Sequence, residues 1–137
     1  MWISSIAWIC LTVKEFEFGW RIPAFSIDGS SRETFVSQIV NFVDEIEDNF
    51  HSMWISDHFY PWRPELGSTD TDVLEAWTTL CFLSGMFKKP KFGHVVLGNS
   101  YRNPALLAKM GATLDTLTGG RFILGIGAGY KEDEHLA

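Results

Sequence analysis

Residues 53–62 read MWISDHFYPW, and the change of character along this stretch decides the fold. It opens as an apolar, strand-forming run, the kind buried on both faces of a parallel sheet. It then passes directly into Asp57 and His58 and on to Phe59, Tyr60, Pro61 and Trp62. Pro61 and Pro64 break regular structure, and a polar loop runs on to Asp72. Beyond it, Leu74, Trp77, Leu80, Cys81 and Ser84 fall on one helical face, with a stop expected near Gly85. A buried strand over 52–57, a loop that carries polar groups at the strand's exit, and then a helix make up one β/α unit.

The same plan recurs on either side. Residues 16–22 (FEFGWRI) read as a strand bounded by Pro23. Ser30 and Glu33 form a capping-box pattern, so a helix is expected to start there. Phe35, Ile39, Phe42, Val43 and Ile46 give its buried face, and Asn49 is expected to end it in a left-handed conformation. Residues 92–98 (FGHVVLG) form the third strand. Asn103 and Pro104 then cap and begin a helix whose buried face is Leu107, Met110, Leu114 and Leu117, stopped by Gly119 and Gly120. Residues 121–127 (RFILGIG) form the fourth strand, and Lys131, Glu132, Asp133 and Glu134 begin a further helix with acids at its positive end. Apolar strands that alternate with helices predict an α/β fold with a parallel sheet. Two architectures satisfy the pattern: an open doubly wound sheet, or the first half of a parallel TIM-type β/α barrel.

Composition narrows the function classes. Across 137 residues, 46% are hydrophobic and 15% aromatic, a packed globular composition. The net charge is −6 with scattered Lys and Arg, which argues against a nucleic-acid partner because that interaction needs a clustered basic footprint. Lys88, Lys89 and Lys91 read as a solvated turn. The start, MWISSIAWICLTV, has no basic leader and an apolar run of only about a dozen residues, too short to cross a bilayer. Cys10 and Cys81 show no C-x-x-C spacing, which fits a reducing cytoplasm.

The carboxyl ends of parallel strands are where such folds bind ligands. Side chains alternate along the second strand, so Trp54, Ser56 and His58 share one face and Asp57 lies on the other. Asp57 and His58 therefore cannot form a side-by-side dyad. His58 at the strand's exit can carry a proton near neutral pH or bond a bound carbonyl, or can serve as a loop histidine satisfied by backbone groups. Asn99 and Ser100, after the third strand, offer uncharged hydrogen bonds or a turn. Gly125, Gly127 and Gly129 have G-x-G-x-G spacing, with Tyr130 where a dinucleotide fingerprint needs its third glycine; they suit a backbone lining that a flat ligand approaches closely. His51, His58, His94 and His135 show no metal-ligand spacing. The acidic run from Glu132 to Glu134 reads as a solvated helix start.

SDHF at 56–59, SYRNPALLAKMGATLDTLTGGRF at 100–122 and LGIGAGYKEDE at 124–134 resemble the luciferase-like monooxygenase superfamily, and within it the deazaflavin (coenzyme F420)-dependent oxidoreductases. The likeness covers roughly residues 15–137 and leaves residues 1–14 as an extension outside it. It implies a β/α barrel with the first four units present here, an N-terminal half. It also implies hydride transfer between F420 and a small-molecule substrate in a cytoplasmic enzyme, homodimeric at full length, with no membrane partner. His58 becomes the group handling the proton. Asp57, His58 and Trp62 lie against the cofactor ring, and Val95 and Val96 back it through a non-prolyl cis peptide. Asn99 and the run Gly127, Ala128 and Gly129 complete the lining. Tyr130 stands where the sugar-phosphate enzymes of this branch carry a glutamate, so a sugar-phosphate substrate is not implied. Two alternatives accompany this reading: an FMN-dependent monooxygenase of the same superfamily, and an inactive half-barrel or a domain completed by another chain. Four strands cannot close an eight-stranded barrel, so unpaired edges and an exposed apolar inner face are expected.

Overall fold

The computed structural model of the protein describes residues 16–26, 30–61 and 73–137. Strands β1 (Gly19–Arg21), β2 (Ser52–Ile55), β3 (Lys91–His94) and β5 (Phe122–Ile123) lie side by side in that order, and every pairing is parallel. Helices α1 (Arg32–Ile46), α2 (Ala76–Met86) and α3 (Pro104–Thr118) each follow a strand, and a short α4 (Glu132–His135) follows the last. Strand order matches chain order with no reversal. That is the arc of a β/α barrel, whereas a doubly wound sheet reverses direction at its switch point.

The third and fourth strands are each broken in two. β4 (Leu97–Gly98) and β6 (Ile126–Gly127) pair with each other, in parallel, beyond β3 and β5. The Val95–Val96 peptide between β3 and β4 is cis. Opposite it Gly125 passes so close that a Cβ would lie 2.0 Å from the His94 carbonyl oxygen. Only glycine fits between the two broken strands.

The helices bury their faces on one side of the sheet. Ile39, Val43, Leu80, Leu83, Leu107 and Leu114 join Met53, Ile55 and Phe92 in one core. Several local expectations shift by a residue or more. The cap of α1 is Ser31, whose Oγ accepts from the Thr34 amide at 3.3 Å, while Ser30 is tied by its own amide to Ser26 Oγ at 3.0 Å. Asn49 is not left-handed, because a tight turn from Ile46 closes the helix without it. Gly85 lies inside α2, and Leu117 is 76% exposed. Asn103 and Gly119 cap α3 as the sequence predicts, with Gly119 at φ 69°.

The helix-free face is more polar than apolar strands suggest. Trp54 spans it, leaning on Gly19 and Gly93, where any Cβ would collide with the indole. Its Nε1–H donates to Ser52 Oγ at 2.8 Å. Arg21 Nε donates to Ser56 Oγ at 3.0 Å, and that hydroxyl donates to the Val95 carbonyl at 3.0 Å. Three strands are thereby cross-linked on the face that a closed barrel turns inward.

His94 faces the opposite way. It is fully buried, stacked on Trp77 with centroids 5.5 Å apart, and neither ring nitrogen has a hydrogen-bond partner among the described residues. Burial, partly opposed by the Asp57 charge, brings its pKa down to about 4. A histidine near 6.5 when unfolded and near 4 when folded penalises the native state as pH falls through that window. Between pH 7 and 4.5 the loss should be about 2 kcal/mol. Urea unfolding of His94→Phe, which keeps the stack, should show a flatter pH dependence than the wild type; parallel curves would refute the assignment.

Candidate active site

The site forms where the carboxyl ends of β2, β4 and β6 converge under α4. Asp57 is 5% exposed, and both its oxygens are engaged. Oδ2 accepts from the Gly98 amide at 3.0 Å and from Arg102 Nη1 at 2.6 Å, and Oδ1 accepts from Arg102 Nη2 at 3.1 Å. Arg102 also pairs with Glu75. Glu75 in turn caps α2 by accepting from the Trp77 and Thr78 amides at 3.1 and 2.6 Å. The Asp57 contact raises the Arg102 pKa against the effect of burial. This guanidinium therefore stays charged and fastens the ends of β2 and β4 to the start of α2.

While Asp57 turns to Arg102, His58 turns to Glu134, and its side chain is 17% exposed. Its Nδ1 lies 3.1 Å from each carboxylate oxygen of Glu134. Glu134 is 3% exposed and gathers further donors: the Phe59 amide at 3.0 Å, the Tyr60 amide at 3.4 Å and the Tyr101 hydroxyl at 2.9 Å. Lys131 Nζ lies 3.5 Å away. Burial works to raise the Glu134 pKa, but the bonds from His58, Tyr101 and the Tyr60 amide outweigh it and hold the group below the ordinary carboxylate range. Burial and the neighbouring carboxylate push the Tyr101 phenol up to about 12, so it remains a donor.

Beside this cluster opens a cleft of about 190 Å³. It is lined by Asp57, His58, Val95, Val96, Gly98, Tyr101, Gly127, Ala128, Gly129, Tyr130 and Glu134. Val95 and Val96 are 45% and 44% exposed, an apolar shelf. A Cβ on Gly127 would lie 2.5 Å from Val96 Cγ2, and Gly129 has φ 79°, so neither position takes a side chain easily. The shelf and bare glycine backbone fit one face of a flat heterocycle, with an imidazole at its edge. The volume falls short of the roughly 300–1,000 Å³ typical of a small-molecule site, so this cleft can hold only part of such a ring system.

Most of the residues singled out from the sequence thus meet here: Asp57, His58, Val95, Val96, Gly127, Ala128 and Gly129. Asn99 is exposed and outside the lining; its amide donates to the Gly127 carbonyl at 2.8 Å, so its part is to pair β4 with β6. Trp62 lies outside the described residues. The reading of the 132–134 acids as solvated is corrected for Glu134, whose donors stand up to 76 positions earlier in the chain. No local pattern marks it. Tyr101 and Arg102 carry no local mark either, beyond lying in the 100–122 block that resembles the family.

The luciferase-like monooxygenase family matches residues 16–136. The F420-dependent glucose-6-phosphate dehydrogenase of Amycolatopsis mediterranei is 39% identical over 84 residues, which make up 61% of this chain and 24% of the relative. The chain therefore spans about a quarter of the length of the curated relatives it matches. Among solved structures, the coenzyme F420-dependent tetrahydromethanopterin reductase of Methanopyrus kandleri superposes with TM-score 0.63 at 26% identity, covering 85% of this chain and 28% of that one. The FMN-bound oxygenating constituent of 3,6-diketocamphane monooxygenase from Pseudomonas putida gives TM-score 0.69 at 22% identity, covering 87% and 31%.

Removing Arg102 strands a buried carboxylate. Arg102→Ala should cost about 3 kcal/mol in urea unfolding. Combined with Asp57→Asn it should cost at least 1 kcal/mol less than the sum of the single changes, roughly the coupling of a direct pair. Additive losses would show that the pair contributes nothing.

Proposed function

This chain belongs to the luciferase-like monooxygenase family, and on that premise we propose that it forms the first four β/α units of an F420-dependent oxidoreductase acting on a small organic molecule. The observation that carries the proposal is the 39% identity over 84 residues to an F420-dependent glucose-6-phosphate dehydrogenase, in a chain whose cleft has an apolar shelf and bare glycine backbone. Bound F420 would supply or accept the hydride. The chain's own residues supply position and a proton. Val95 and Val96 would form the shelf under one ring face, and Gly127 and Gly129 would let the ring approach the backbone. His58 gives or takes the proton at the substrate oxygen or nitrogen, a role that contributes roughly 10²–10⁴-fold when the geometry is right. The remaining walls come from strands beyond these four, which accounts for a cleft too small to enclose the ligand.

Titration of the protein with F420, and separately with FMN, followed by fluorescence, tests the reading. F420 should bind at least roughly tenfold more tightly, a difference of about 1.4 kcal/mol. Gly127→Val, whose side chain would collide with Val96 and crowd the glycine-lined wall, should abolish that preference. Tighter binding of FMN would reassign the chain to flavin chemistry.

A further inference from the structure

The exit of β2 leaves a histidine with two chemically different edges, and the structure treats them differently. The Nδ1 edge of His58 faces Glu134, whose side chain is only 1% exposed. Among the described residues, each partner of the carboxylate is a donor: two backbone amides, the Tyr101 hydroxyl, the Lys131 ammonium and His58 itself. A buried carboxylate ringed by donors can accept but not donate, so the imidazole nitrogen facing it must carry hydrogen. His58 lines the cleft with 17% of its side chain exposed, and with Nδ1 held against Glu134 the ring nitrogen that remains for a ligand is Nε2. Tyr130 meets the ring edge-on with centroids 5.9 Å apart, which restricts rotation about the ring's axis. Asp57 does not compete, because Arg102 and Gly98 occupy its oxygens.

We infer that Glu134 is the positioning residue of the site: it fixes the His58 ring with hydrogen on Nδ1, leaving Nε2 as the atom that exchanges a proton with a ligand in the cleft. A free imidazole side chain prefers the opposite tautomer, with hydrogen on Nε2, which could only donate toward the cleft. The buried carboxylate reverses that preference and makes the neutral ring a proton acceptor there. That Nε2 serves a reaction rests on the oxidoreductase reading. That Nδ1 holds the hydrogen rests on geometry alone.

The second statement is tested without any cofactor. Long-range ¹H–¹⁵N correlation spectra of the neutral His58 ring should show a protonated Nδ1 and a bare Nε2 in the wild-type protein. In Glu134→Ala, with fold checked by amide chemical-shift dispersion, the ring should revert to the Nε2–H tautomer. A wild-type Nε2–H tautomer, or a folded Glu134→Ala that retains hydrogen on Nδ1, overturns the inference. Should the alanine variant fail to fold, the wild-type spectrum decides alone. The F420 titration reports separately on the oxidoreductase reading: a protonated Nδ1 in a protein that prefers FMN would keep this inference and remove that one.

Discussion

Everything at the site depends on how the chain leaves β2, which ends at Ile55 and not at Asp57 as the sequence predicts. Just past it, Asp57 and His58 turn to different partners, Arg102 and Glu134. A partly buried, bidentate guanidinium holds Asp57 in place two residues past the end of the strand. Such a pair adds little net stability over apolar packing, but it is costly to break, so it acts as a register pin. His58 is then delivered to the cleft wall as a consequence, with no freedom to exchange roles with its neighbour. The same pin reaches α2 through Glu75, so a helix start and a strand end share one anchor.

How much of this could be read from the chain follows from the range of each interaction. Ser31 to Ile46 and Asn103 to Gly119 were legible because caps and helical faces are local patterns, resolved within one or two turns. The errors at Ser30 and Asn49 arose where two equivalent residues compete for a cap or where a turn closes without the expected one. His58, Val95, Val96 and the 127–129 glycines were legible as strand exits, and the family likeness sharpened them. Glu134 was not. It lies in an acidic run typical of a solvated helix start, and its burial is decided by donors from the 58–60 loop and Tyr101, which only the folded chain brings to it. Arg21 and Ser56 were hidden for the same reason: their link to the Val95 carbonyl crosses three strands.

A four-residue helix has almost no stability of its own, because helix nucleation fixes several residues for very few hydrogen bonds. α4 therefore stays docked through its tertiary contacts, and among the described residues its buried side chain is Glu134. The carboxylate's partners are the imidazole and amides that shape one wall of the cleft. Docking of α4 and alignment of His58 are thus one event. A carboxylate in this position without its donors would face a desolvation cost of several kcal/mol, and so would the donors without it. The wall is assembled completely or not at all. That cooperativity lets a short helix hold the His58 ring in one orientation, and it ties a residue of the last described helix to the exit of the second strand.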